Sequence, residues 1–299
     1  MFEGLVVALV VSAGGGPAVS GPPPLMTAGD VADLPRPPAH VRIEYGPDPL
    51  QFGELRLPDG DGPHPVVIVI HGGCWLAEYD LGYMAALADA LTAGGVATWS
   101  LEYRRVGDEG GGWPGTFQDV AAAADFLRTI APEYGLDLNR VAALGHSAGG
   151  HLALWLAGRS GLPADDPLRG GSPLPLAGVV SLAGIPDLAA YAAPSGCGAA
   201  VAELLGAEPD EVPERVRRGS PIAMVPLGVP LIMITGELDW IVPAEQAGEF
   251  AAEARREGDA AEVRVVEGAG HFELVNPAHP AFETVRDGVF ELLGGRSRN

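Results

Sequence analysis

From about residue 41 onward, short continuous apolar runs alternate with longer stretches of helical spacing, and that alternation confines the chain to one class of architecture. The runs fall at 66–70, 97–101, 141–144, 179–182, 231–234 and 263–266. A strand that is apolar at every position has both faces covered, as in a parallel sheet held between two layers of helices. Residues 42–45 and 52–57 read as edge strands joined by a turn containing Pro47 and Pro49. Helical spacing covers 81–93, 116–131, 149–157, 243–257 and 281–293. The pattern predicts an α/β fold with a mostly parallel central sheet flanked by helices.

Two segments interrupt the alternation. Residues 159–175, rich in Gly, Pro and Asp, read as an exposed loop. Residues 184–226 carry six prolines around a helical piece at 199–205 and read as an irregular, cap-like insertion over one end of the sheet. The expected domain runs from 41 to 295. Residues 1–40 are expected to lie outside it as a disordered extension, a weak signal segment, or in part a misplaced start before Met26.

Gly145-His146-Ser147-Ala148-Gly149 fits G-x-S-x-G, with an apolar strand before it and a helical pattern after it. A sharp strand-to-helix turn holds such a serine exposed at the carboxyl end of the sheet, beside the free N–H groups of a helix N-terminus. Ser147 is therefore the expected nucleophile. His71-Gly72-Gly73-Cys74-Trp75 follows the most apolar strand, and a glycine-rich turn there can present backbone amides to a tetrahedral oxyanion. The amides of Gly73, Cys74 and Ala148 are the expected oxyanion hole, with His71 shaping the loop.

A serine hydroxyl needs a base, and the base needs an orienting acid. Six of the seven histidines sit in proline-rich entry segments, in the two turns just described, or before the last helix. That leaves His271, in the glycine-rich loop after the last strand. Asp239, in the loop after the 231–234 strand, is the expected acid, with Glu237 as runner-up. The chain order Ser147, Asp239, His271 belongs to neither the trypsin-like nor the subtilisin-like arrangement.

With these motifs in place, the sequence resembles the α/β-hydrolase superfamily over nearly its whole length from residue 41. The branch it resembles is the HGG-type esterase/lipase group that includes arylformamidases. HGGCW at 71–75, GHSAGGHLAL at 145–154, GELDWIVP at 236–243 and GAGHFELV at 268–275 carry the likeness. It implies a serine hydrolase that acts on a small carboxylic ester or aryl formamide through an acyl-enzyme on Ser147. No metal or organic cofactor is required. Trp75, Trp240 and Phe272 are expected to line an apolar acyl or aryl pocket, with core packing as the competing role for each. A prolyl-oligopeptidase-type peptidase shares the fold but would bring a propeller-sized extra domain. A non-catalytic hydrolase-like binding protein would not need the complete serine, acid and base set.

Composition narrows the partners. A formal net charge of −21, with no basic cluster longer than Arg217-Arg218, argues against nucleic acid and anionic membranes and leaves a small-molecule acyl substrate. Cys74 and Cys197 are too few for a disulfide framework and are expected to be two buried thiols. The apolar run at 5–11 is too short to span a bilayer, which takes about 20 residues. A cytoplasmic location is expected, with secretion as the alternative if residues 1–20 act as a signal peptide.

Overall fold

The computed structural model describes residues 24–191 and 196–294. The expected signal-like run at 5–11 lies outside the described residues. Eight strands form one sheet: β1 (Val41–Glu44), β2 (Phe52–Arg56), β3 (His64–Ile70), β4 (Ala97–Leu101), β5 (Leu136–His146), β6 (Gly178–Leu182), β7 (Leu231–Gly236) and β8 (Ala261–Val266). Their order is β1-β2-β4-β3-β5-β6-β7-β8. The β1–β2 and β2–β4 pairs are antiparallel, and every other pair is parallel. The expected α/β-hydrolase architecture is what the chain adopts.

The helices are α1 (Ala28–Ala32), α2 (Ala85–Ala93), α3 (Gly115–Tyr134), α4 (Ala148–Gly158), α5 (Gly198–Leu205), α6 (Pro213–Gly219), α7 (Ala244–Arg256) and α8 (Ala281–Leu292). The segment expected as one helix at 81–93 begins as a 3₁₀ turn, Leu81–Met84, before α2.

The uninterrupted apolar runs have a simple cause. Along β3, Val66, Ile68 and Ile70 enter one core with α3, α4 and α7, while Val67 and Val69 enter a second core with α2 and α8. Strands β5, β6 and β7 divide in the same way, so each residue has a helix to pack against. Each fully buried Val, Leu or Ile contributes on the order of 1.5–3 kcal/mol.

The described part of the expected extension is structured. Thr27 and Asp30 form a capping box at the start of α1, and Val31 is buried in the second core. The Met26 amide donates to Glu273 Oε1 at 2.5 Å, and the other oxygen of that carboxylate accepts from the Gly270 amide at 3.0 Å. Residues 24–33 thus fasten the loop that carries His271.

Between β3 and β5 the chain switches direction across the sheet, because β4 lies on one side of β3 and β5 on the other. Ligands of open α/β sheets bind in the crevice at the carboxyl end of such a switch point. The register pairs Ile70 with Gly145, which brings the turn at 71–75 beside the turn at 146–148. Asp239 follows β7, and His271 follows β8, on the same edge of the sheet.

Candidate active site

The turn from β5 into α4 is strained at one residue. Ser147 has φ 55° and ψ −120°, a region costly for any side chain by about 1–3 kcal/mol, and its amide is spent on the Leu182 carbonyl at 2.8 Å. Glycines make the turn possible. A Cβ on Gly145 would overlap the Gly149 carbonyl, and one on Gly149 would overlap the Ile70 carbonyl. A Cβ on Gly72 would stand 3.3 Å from the Ser147 Cβ, so the two turns meet at the serine.

The second turn is strained as well. Gly73 has φ +101°, and Cys74 and Trp75 follow at +52° and +59°. Left-handed backbone costs a non-glycine residue about 1–2 kcal/mol, so burial and side-chain bonds must hold it. Trp75 is fully buried, and its indole N–H donates to His151 Nδ1 at 3.2 Å. This corrects the expectation for Trp75, which belongs to the core beneath the turn rather than to a substrate pocket. The Trp75 carbonyl accepts from Val106 at 2.8 Å and the Gly73 carbonyl from Leu76 at 2.9 Å. Among the described residues, the amides of Gly73, Cys74 and Ala148 donate to no protein acceptor. These three N–H groups lie on the two turns that meet at Ser147.

His71 shapes this loop as expected. Its Nε2–H donates to Glu102 Oε1 at 3.2 Å, its carbonyl accepts from the Tyr103 hydroxyl at 2.8 Å, and the two rings stack at 4.4 Å. Burial pushes the Glu102 carboxyl up, but the His71 ring, Arg105 and the Leu81 amide outweigh it and hold the group below the usual glutamate range.

The expected acid and base are bonded. His271 Nδ1–H donates to Asp239 Oδ2 at 2.7 Å, and both residues are buried. The other carboxylate oxygen, Oδ1, accepts from the Ile241 and Val242 amides, each at 2.9 Å, which fixes the rotation of the side chain. Glu237, the runner-up, is exposed and accepts from the Gly268 amide at 2.9 Å, so it shapes the base loop instead. No hydrogen bond joins Ser147 Oγ to His271 among the described residues. The two are neighbours through His146, whose ring centroid lies 4.5 Å from that of His271.

His146 belongs to the site as well as to the serine turn, which its place in the G-x-S-x-G stretch does not reveal. Its Nε2–H donates to the His271 carbonyl at 3.0 Å, and its Nδ1 accepts from the Tyr83 hydroxyl at 2.8 Å. Burial first, and the neighbouring His271 second, hold its pKa well below 6.5. His146 is therefore a neutral strut between α2's lead-in turn and the base loop. Phe272 packs edge-on against the His271 ring at 4.9 Å, and Trp240 stands 61% exposed beside Asp239, at the rim.

His151 carries a second buried, neutral ring, with Nε2–H donating to the Gly219 carbonyl at 2.7 Å and Nδ1 accepting from Trp75. Burial lowers its pKa from 6.5 to about 4. Above pH 6.5 the ring is neutral folded and unfolded; between 6.5 and about 4 the unfolded ring takes up a proton that the folded one refuses. Stability should thus fall as the pH falls, by about 2 kcal/mol from this residue between pH 7.5 and 5. Denaturant unfolding of the wild type and of His151→Gln at both pH values measures it; the variant should lose that share of the pH dependence, and identical slopes would refute it.

The described part of the 184–226 insertion folds as α5, α6 and a 3₁₀ turn, Pro221–Met224. It is tied to α4 through His151 and through the Trp155 indole, which donates to the Arg218 carbonyl at 2.9 Å. One sequence expectation fails here. Cys74 and Cys197 are joined in a disulfide across 123 residues of chain. Two isolated cysteines give no spacing signal, and only the placement of the insertion over the 71–75 turn brings their sulfurs together.

Comparison with known proteins follows the same lines. The BD-FAE family matches residues 54–253. Esterase LipC of Mycobacterium tuberculosis (strain ATCC 25618 / H37Rv) is 32% identical over 255 residues, covering 79% of this chain; the match spans 60% of the length of LipC. Among solved structures, a truncated form of a carbohydrate esterase from gut microbiota superposes with a TM-score of 0.74 at 26% identity, over 86% of this chain and 99% of that one. Esterase B from Lactobacillus rhamnosis (HN001) shares the fold, with a TM-score of 0.73 at 20% identity over 89% of each chain.

Proposed function

The chain belongs to the BD-FAE family and has the α/β-hydrolase fold, and on that premise we propose that it is a serine hydrolase cleaving a small carboxylic ester through an acyl-enzyme on Ser147. The observation that carries this reading is the buried His271–Asp239 bond of 2.7 Å, set against the strained serine turn and its three open amides.

In this reading Ser147 Oγ attacks the acyl carbonyl while His271 Nε2 takes its proton. Asp239 stabilises the imidazolium so formed and keeps its Nδ1–H pointing away from the serine. The carbonyl oxygen becomes an oxyanion and is held by the amides of Gly73, Cys74 and Ala148, which gain strength as the charge develops. Collapse expels the alcohol, which leaves with the proton from His271. Water then repeats the sequence on the acyl-enzyme, with His271 again the base, and releases the acid. Phe272 and Trp240 offer an apolar edge to the acyl or alcohol group.

The names of LipC and of the gut carbohydrate esterase support ester rather than formamide cleavage. Rates on short and long p-nitrophenyl esters beside N-formylkynurenine measure the choice; a short-ester preference without formamide turnover is expected. The disulfide also favours an oxidising compartment, and hence secretion over the cytoplasm.

A fluorophosphonate probe should label the wild type and leave Ser147→Ala unlabelled. Equal labelling of the two would remove Ser147 as the nucleophile.

A further inference from the structure

The disulfide does not staple distant loops at random; it joins the oxyanion turn to the insertion, at the start of α5. Cys74 lends one of the three open amides and sits in left-handed backbone. The bonds that hold the turn act on its neighbours, through the Trp75 indole and carbonyl and through the Gly73 carbonyl. The side chain of Cys74 itself is held by Cys197.

Cys197 is buried at the start of α5, and its amide donates to the Tyr191 hydroxyl at 3.0 Å. That hydroxyl in turn donates to the Ile241 carbonyl at 2.8 Å. Ile241 is one of the two residues whose amides fix Asp239. A continuous path therefore runs from Cys74 through the disulfide, Cys197 and Tyr191 to Ile241 and Asp239.

We infer that Cys197 and Tyr191 are positioning residues for acyl transfer: through the disulfide they hold the Cys74 amide at the angle the tetrahedral oxyanion requires, which makes turnover sensitive to thiols. This rests on the reading of Ser147 as nucleophile. An amide that bonds the oxyanion and not the ground-state carbonyl acts on kcat, so loosening it should leave KM nearly unchanged. Loss of a whole oxyanion donor costs on the order of 10²–10³ in kcat, so misalignment of one should cost about ten- to a hundredfold.

The test reduces the folded enzyme with dithiothreitol. The Cys74–Cys197 bond breaks, two protein thiols form, and the reagent closes its own disulfide, so that two electrons and two protons pass to the protein. The expected result is a ten- to hundredfold fall in kcat with KM within about twofold of its starting value. Affinity for a boronic acid that mimics the tetrahedral intermediate should fall by the same factor as kcat/KM, and reoxidation should restore both. Cys74→Ser, Cys197→Ser and the double variant should share one value, because each removes the same bond.

Unchanged kcat in the reduced, folded enzyme overturns the inference, as does a rise in KM at constant kcat. Should the thiol variants not fold, Tyr191→Phe keeps the disulfide and removes both hydroxyl bonds; a several-fold loss of kcat is expected there, and wild-type turnover overturns the inference. A fluorophosphonate adduct mapped by mass spectrometry in the oxidised enzyme separates the two readings. An adduct absent from Ser147 sinks the serine mechanism, whereas an adduct there with thiol-insensitive turnover sinks only the positioning role.

Discussion

Replacing His271 by alanine should lower ester turnover by three or more orders of magnitude, with the loss in kcat and little change in KM. The size follows from what no other ring can do. His146 is the nearest, at 4.5 Å between centroids, yet both of its nitrogens are occupied by Tyr83 and by the His271 carbonyl. Its pKa, depressed by burial, also makes it a poor acceptor for the serine proton. His151 lies beneath the 71–75 turn with both nitrogens engaged and a pKa of about 4. The alanine variant therefore has no substitute base. Its residual rate would come from binding and the oxyanion amides alone, which sustain a small fraction of catalysis when such a base is removed. Steady-state kinetics on a p-nitrophenyl ester measures the effect, and a loss of only about tenfold would place the base elsewhere.

Why the sheet could be read in the sequence and parts of the site could not is a matter of range. The runs at 66–70, 141–144 and 231–234 announce buried parallel strands because helices cover both faces of the sheet, and that condition leaves a local mark on each strand. The serine turn is also local, since Gly145 and Gly149 are demanded by the close approach of neighbouring backbone. Asp239 and His271 needed one step more, their positions after successive strands, and the structure brings them within 2.7 Å.

What escaped depends on contacts between segments far apart in the chain. The disulfide is set by how the insertion lies over the 71–75 turn, which neither cysteine's neighbours encode. Trp75 follows a glycine-rich turn that leaves both a pocket and a core role open to it, and left-handed backbone at 74 and 75 goes with a ring that faces inward to His151. The role of His146 depends on Tyr83, 63 residues away. The docking of residues 24–33 on Glu273 is likewise tertiary, a contact across 247 residues of chain.

Substituting Asp239 with asparagine should cost about 10³–10⁴ in kcat while leaving the fold intact. The two amides that bond Oδ1 decide which way an asparagine must face. With its carbonyl oxygen toward Ile241 and Val242, both N–H donors stay satisfied, and the NH₂ group then points at His271 Nδ1. Nδ1 must become an acceptor, so the proton moves to Nε2. A ring protonated at Nε2 cannot take the serine proton. The opposite rotamer would present NH₂ to two backbone donors in a buried site, leaving both unpaired at about 1–3 kcal/mol each. Either way the base is held in the wrong tautomer or the loop is destabilised, and the first is the cheaper. The variant should therefore unfold at a temperature close to that of the wild type while turning over ester at a small fraction of its rate. Retention of activity within about tenfold would transfer the acid's role to another carboxylate, Glu237 first, and Glu237→Gln in the Asp239→Asn background would then have to abolish what remained.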